Sequence, residues 1–252
     1  MIKVEQLTKK YGNKTVLDHV DLELPKQQLI SFIGSNGAGK STLISLISRI
    51  LEKNEGSVFI DSKELGDWKN DELSKRLSIL KQSNHLNIRL TVRELVGFGR
   101  FPHSKGKLTK EDEKYIDQAI DYLGLKEIEN RYLDELSGGQ RQMAYIAMVI
   151  AQDTEYVFLD EPLNNLDMHH SVMIMKVLKR MVEELGKTVM VVIHDINFVS
   201  CYADYIIALK NGKLLGHGSN KEMMTEEILK DVYNMDIEIR SIDGKNICLY
   251  YH

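Results

Sequence analysis

The chain has 252 residues, of which 43% are hydrophobic and 28% charged, with a formal net charge of -4 and a pI of about 6.1. That length holds one large α/β domain with room for an inserted lobe, and the slightly acidic balance excludes the basic footprint of a nucleic-acid binder. Cys201 and Cys248 make no CxxC pair and read as reduced thiols of a cytosolic protein, and no run of about 18 apolar residues reads as a membrane span.

The opening MIKVEQLTKKYG alternates like a strand and does not read as a signal peptide. Tyr11 lies ahead of the turn GNK, where an aromatic ring fits either stacking on a base or ordinary core packing. QLISFIG reads as a buried strand, followed by a glycine loop and the helix STLISLISRIL. The loop GSNGAGKST comprises Gly34, Ser35, Asn36, Gly37, Ala38, Gly39, Lys40, Ser41 and Thr42. It fits G-x-x-x-x-G-K-[ST] in the strand-to-helix context which that pattern requires. Its glycines let successive backbone N–H groups wrap a polyphosphate, and the helix N-terminus adds favourable potential for the anion. Lys40 can bridge the β- and γ-phosphates, and the Ser41 hydroxyl can ligate Mg²⁺.

GSVFIDSKEL reads as a strand and a turn, and RLSILKQ as a short strand ending at Gln82. A neutral amide there can touch Mg²⁺ or water, although by chemistry alone a surface glutamine is the better bet. From about His85 to Arg131 the pattern turns helical and charged, as in TKEDEKYIDQAIDYLGL. LSGGQ, residues 136–140, carries no acid, base or thiol and opens the apolar run RQMAYIAMVIA, whose spacing suits a buried helix. Ser137 followed by glycines would cap that helix. Gly138 and Gly139 would equally let an anion approach the helix N-terminus, and the residues leave both readings standing.

EYVFLDEP and KTVMVVIHD are apolar, β-branched runs that end in acid or histidine, the pattern of central parallel strands with functional residues at their carboxyl ends. Asp160 would belong to a Mg²⁺ shell and Glu161 would polarise an attacking water; the plainer alternative is an acid pair capping a helix. His194 follows the second strand at the edge where a γ-phosphate would sit. YIIALKNGKLLGHG reads as a hairpin turning at Asn211-Gly212, and IEIRSIDGKNICLYY as another turning at Asp243-Gly244.

In this order and spacing, Tyr11, GSNGAGKST, Gln82, LSGGQ, FLDEP, NNLD and His194 resemble the ATP-binding subunits of ABC transporters, from residue 2 to about residue 225. The resemblance implies an α/β fold, an ABC-type P-loop NTPase core with an antiparallel β subdomain and an inserted α-helical subdomain. It places the core and β subdomain in residues 1–84 and 150–220, the helical subdomain with the signature in 85–149, and a helix and hairpin tail in 221–252. It implies ATP and Mg²⁺ as cofactors, with Ser41, Gln82 and Asp160 around the metal. Tyr11 becomes the adenine-stacking residue, Glu161 and His194 the catalytic pair, and Asp167 part of the nucleotide-binding set. Ser137, Gly138, Gly139 and Gln140 become the signature, which binds the γ-phosphate of ATP held on a second copy of the chain. The implied partners are that second copy in a head-to-tail dimer, an integral membrane permease and, indirectly, an extracytoplasmic substrate-binding protein. The implied place is the cytoplasmic face of the cell membrane. Two departures are visible: Ser35 stands where the family frequently has proline, and NNLD replaces a serine-containing version before Asp167.

A narrower resemblance lies in TVRELVGFGRFPH, residues 91–103, supported by EPLNNLDMHH and HDINFVSCYAD. These stretches look like the importers of iron–siderophore complexes, haem and cobalamin, although chemistry alone makes residues 100–103 a loop after a helix. The resulting expectation is an ATPase that energises iron–siderophore uptake. A haem, cobalamin or export ATPase, a soluble ABC-type regulator and an inactive ATP-binding subunit are the alternatives. Intact Lys40, Asp160, Glu161 and His194 oppose the last of them.

Overall fold

A computed structural model describes residues 1–82 and 88–251; the expected subdomain boundary at residues 84 and 85 lies outside the described residues. In chain order the elements are β1 (Ile2–Tyr11), β2 (Lys14–Leu24), β3 (Leu29–Ile33), α1 (Lys40–Ile47), β4 (Glu55–Ile60), β5 (Lys63–Glu64), α2 (Asn70–Leu73), β6 (Leu77–Leu80), α3 (Val92–Phe98), α4 (Phe101–Ser104) and α5 (Lys110–Tyr122). They continue as α6 (Gly138–Ala151), β7 (Tyr156–Asp160), α7 (Met168–Glu183), β8 (Thr188–Val192), α8 (Ile196–Tyr202), β9 (Tyr205–Lys210), β10 (Lys213–Ser219), α9 (Asn220–Met223), α10 (Glu226–Tyr233), β11 (Glu238–Ile242) and β12 (Lys245–Leu249). The chain forms two compact units, one of Met1–Trp68 with Met181–His252 and the other of Lys69–Arg180. Among the described residues no helix is long and apolar enough to cross a membrane.

The first unit holds two larger β arrays. In one, β1 pairs antiparallel with β2 and β4, giving the order β2-β1-β4-β5. In the other, β3 runs parallel to β8 and to β9, and β10 closes antiparallel on β9. Every residue of β3 and β8 is buried, which is why their sequences are nearly continuous apolar runs, broken only by Ser31 and Thr188, rather than alternating ones. The turn between β9 and β10 needs two left-handed residues, and Asn211 (φ 51°) and Gly212 (φ 78°) supply them. Asp243 (φ 50°) and Gly244 (φ 77°) repeat the device between β11 and β12.

In the second unit β6 runs parallel to β7, with Leu77 opposite Tyr156 and Leu80 opposite Leu159. Helices α3, α5 and α6 pack together around Leu95, Val96, Ile116, Ile120, Ala144 and Ala147, all 1% exposed or less. Thr91 and Thr109 open α3 and α5 with capping boxes, closed by Glu94 and Asp112. Residues 100–103 are not the loop that their chemistry alone suggests. Pro102 sits in the first turn of α4, where its missing N–H costs nothing, and the helix follows. Arg100, 4% exposed, donates from Nε to Asp112 Oδ1 (2.9 Å) and from Nη1 to the Ala151 carbonyl (2.8 Å). His103 Nε2 lies 3.0 Å from the Gln152 carbonyl. Both side chains therefore serve the carbonyl end of α6, where the Arg100 charge is favoured. Burial raises the Asp112 pKa, but the Thr109 backbone and hydroxyl and the Arg100 guanidinium outweigh it and hold the carboxyl at about 2.

Candidate functional site

In the first unit the glycine loop joins the fully buried β3 to α1. Gly34 has φ 146°, and a Cβ there would stand 2.3 Å from the Leu209 carbonyl oxygen. Gly37 (φ 79°) and Gly39 (φ 104°) take left-handed values that other residues rarely adopt. The loop is pinned from behind by the β9–β10 turn, where Gly212 N donates to the Ala38 carbonyl at 3.1 Å. Ala38 N in turn donates to the Ser35 carbonyl at 3.1 Å. Lys40, 5% exposed, donates its ammonium to the carbonyls of Gly34 (2.8 Å) and Ser35 (3.0 Å). Its charge is thus fixed inside the loop's own curve. Helix α1 starts at Gly39 with no side-chain cap and no acid in its first turn, the arrangement that leaves a helix N-terminus electropositive. Ser41 and Thr42 follow in that first turn, and Asn36 lies exposed at the loop's tip.

Two other predicted residues belong to the same unit. Tyr11 ends β1 and is 50% exposed, which removes the core-packing alternative; Lys9 Nζ lies 5.0 Å from the centre of its ring. His194 follows β8 after Ile193 and is exposed, while its neighbour Asp195 caps α8 by accepting from Asn197 N at 2.8 Å.

The second unit gathers the other candidates. Four buried residues of β7 deliver Asp160 at the strand's last position, and Glu161 then turns into the left-handed region (φ 52°). A non-glycine residue held there costs free energy, of order 1–3 kcal/mol for sparsely populated backbone states, and such strain clusters at functional sites. The turn is held by Asn164 N donating to the Glu161 carbonyl at 3.2 Å. The Glu161 carboxylate accepts from Gln82 Nε2 at 2.7 Å and from Asn164 Nδ2. Two amide donors thus fix a carboxylate without neutralising it. A carboxylate so aimed can take a proton or orient a water.

LSGGQ opens α6 as a capping box. Ser137 Oγ accepts from Gln140 N at 3.2 Å, and Gln140 Oε1 accepts from Ser137 N at 3.1 Å. Gly139 is buried in a helical conformation, and a Cβ there would stand 1.9 Å from His170 Cδ2. The imidazole of His170 occupies the space that a side chain at 139 would need. Asp167 holds that ring: Oδ1 lies 2.8 Å and Oδ2 2.9 Å from His170 Nδ1, and Oδ1 also accepts from His170 N at 2.8 Å. The His170 backbone N–H, and then its ring, hold the Asp167 carboxyl below the usual carboxylate range.

Reading the residues singly misses two members of this cluster, Asn164 and His170. Asn164 carries the signal of an amide three residues beyond the acid it serves. His170 stands three residues after Asp167, the spacing at which a helix N-cap meets the N–H of its first turn. Its contact with Gly139 joins positions far apart in sequence, and no local pattern announces it.

These findings agree with the comparisons to known proteins. Residues 17–164 match the family described as ABC transporter. The petrobactin import ATP-binding protein YclP of Bacillus subtilis is 55% identical over 251 residues, covering 100% of both chains. The iron(3+)-hydroxamate import ATP-binding protein FhuC of the same species is 39% identical over 254 residues, covering 99% of this chain and 94% of its own. Among solved structures, a dimeric post-hydrolysis ATP-binding cassette bound to ADP and Pi superposes with a TM-score of 0.76 at 31% identity, over 87% of this chain and 99% of its own. With its phosphate loop, its signature helix and its carboxylate at a buried strand's end, the chain belongs to the ABC transporter family and is one of its ATP-binding, ATP-hydrolysing members.

Proposed function

We propose that this chain is the ATPase of an importer for an iron–siderophore complex, working at the cytoplasmic face of the cell membrane. The observation that carries this reading is 55% identity, end to end, with a petrobactin import ATP-binding protein. Lys40 and the loop N–H groups take the phosphates, Tyr11 stacks on the adenine and His194 contacts the γ-phosphate. Ser41, Asp160 and the amide oxygen of Gln82 are hard oxygen donors, the set that suits Mg²⁺. Gln82 fits because its nitrogen is spent on Glu161. A Mg²⁺ held by such donors would neutralise charge on the phosphates. Glu161, aimed by Gln82 and Asn164, accepts the proton of the attacking water. Ser137, Gly138, Gly139, Gln140 and Asp167 act on ATP held by a second copy, in keeping with the dimeric cassette that the fold matches.

Residues 85–149 serve as the helical subdomain that meets the permease, between core residues 1–84 and 150–220 and the tail 221–252. The support is a cavity of about 680 Å³ with Phe98, Phe101 and Leu108 on its walls, each 46–60% exposed. Arg93, Glu94 and Glu113 stand among the same lining residues. Apolar walls with a charged rim suit a short helix from a membrane protein. The substrate-binding protein outside the membrane would meet only the permease.

The test is Glu161→Gln, which keeps the shape and both amide donors' partner oxygen but removes the base. Turnover of the purified protein should fall at least about a hundredfold, the scale of a lost acid–base group, while ATP binding persists. In cells lacking the native gene, the wild-type chain should restore uptake of radioactive iron–siderophore and Glu161→Gln should not. Near-normal turnover would move the base elsewhere, with His194 next in line. Unchanged uptake in the deletion strain would remove the siderophore assignment.

A further inference from the structure

The turn that opens α7 places three metal-capable side chains within four residues. Asp167, His169 and His170 each offer one ligand atom, and the three atoms lie within 4.8 Å of one another. Bonds of about 2.0–2.2 Å from a transition ion to imidazole nitrogen and carboxylate oxygen put neighbouring ligand atoms roughly 3 Å apart. The Asp167 oxygens and His170 Nδ1 are hydrogen-bonded at 2.8 and 2.9 Å, so the pair is adjacent and opens slightly when an ion takes the place of the proton. His169 stands edge-on to His170 with ring centroids 5.4 Å apart, and its side chain is exposed. The other two ligands are held in advance. His170 is wedged on the backbone of Gly139, and Asp167 is tied to the His170 N–H.

We infer that Asp167, His169 and His170 form a binding site for a first-row divalent transition ion of the Fe²⁺ or Zn²⁺ class. Two imidazoles and one carboxylate are a donor set for such ions and leave further positions for water. Mg²⁺ is excluded by its preference for oxygen ligands and its reluctance to shed water. The positive end of α7 opposes any cation at this place, and the Asp167 charge offsets it. The bonds to imidazole nitrogen then decide in favour of a transition ion. Binding replaces the proton between Asp167 and His170 by a metal bridge, so it competes with protons.

The experiment uses the untagged full-length protein in excess Mg²⁺, titrated with Co²⁺ and followed by visible absorption and calorimetry without nucleotide. One Co²⁺ per chain should bind, with bands of nitrogen and oxygen ligation and no thiolate charge-transfer band. His169→Ala should weaken binding by about tenfold or more. His169 is exposed and outside the nucleotide-binding set, so this variant should keep basal ATPase activity. Equal binding by wild type and His169→Ala, or a thiolate band, overturns the site. A wild-type chain with no ATPase activity at all would count against the function reading, and the titration would still decide the site.

Discussion

The phosphate loop and the signature segment are both rich in glycine, and glycine does different work in each. In the loop the backbone itself is unusual: Gly34, Gly37 and Gly39 all have positive φ, and the Cβ of any residue at 34 would meet a backbone carbonyl at 2.3 Å. The loop's shape is therefore written into conformations that L side chains rarely reach. In the signature the backbone is an ordinary helix start, capped by Ser137 and Gln140. Gly139 is there to make room for an imidazole, a side chain that can be changed. One motif is fixed by the main chain and the other by packing. The two should thus differ in what can rescue them.

The largest effect is expected at Gly34. Gly34→Ala puts a methyl group against the Leu209 carbonyl, which is locked into the buried ladder of β9. Neither partner can move without breaking β3 or β9 pairing. Urea unfolding should show a loss of at least about 3 kcal/mol, the upper end of ordinary single-site effects. No second substitution of a side chain should restore it. A loss well below about 1 kcal/mol would show that the loop can flex at this point, contrary to its pinning by the β9–β10 turn.

Gly139→Ala should be milder and rescuable. Alanine is better than glycine inside a helix by about 0.8–1.0 kcal/mol, so the substitution should stabilise α6 wherever space permits. Here the His170 ring, held by Asp167, takes that space. We expect a net loss of about 2 kcal/mol in the wild-type background and a gain in the His170→Ala background. Thermal unfolding of the four proteins gives the coupling, which should fall in the range of roughly 1–3 kcal/mol seen for contacting residues. A neutral Gly139→Ala would mean that His170 swings aside freely and does not support the signature helix.

This contrast also explains what the sequence made legible. The phosphate loop was readable because its requirement is local: a strand, four spaced residues and a Gly-Lys-Ser run each act on neighbouring backbone. The hairpins at Asn211-Gly212 and Asp243-Gly244 were readable for the same reason. Residues 100–103 were not, because a buried guanidinium reaching the Ala151 carbonyl is a contact across 51 residues. In sequence Arg100 looks like any exposed loop cation. The His170 wedge on Gly139 was hidden likewise, since it joins residues 31 positions apart and a histidine pair after Asp167 has no period to mark it. Tyr11 fell between these cases: its position before the turn was plain, and its 50% exposure depended on what the rest of the first unit leaves uncovered.

The smallest stability effect is the one that separates the two roles of Ser137. Its hydroxyl accepts from Gln140 N, and it is exposed, so it can cap α6 and still face an anion. Ser137→Ala removes the cap acceptor and should cost about 1 kcal/mol, whereas Ser137→Gly should cost only a few tenths, because glycine is tolerated at this position. Both variants lack the hydroxyl equally. If Ser137 contributes only as a cap, ATPase activity should follow stability, with the glycine variant close to wild type. If the hydroxyl acts on the γ-phosphate of the partner's ATP, both variants should lose activity alike although their unfolding curves differ. Measuring turnover and urea midpoints on the same two proteins therefore tells packing from ligand binding at one side chain. Helix α1 offers the control: it begins at Gly39 without a side-chain cap, so its N-terminus has no comparable stability to lose.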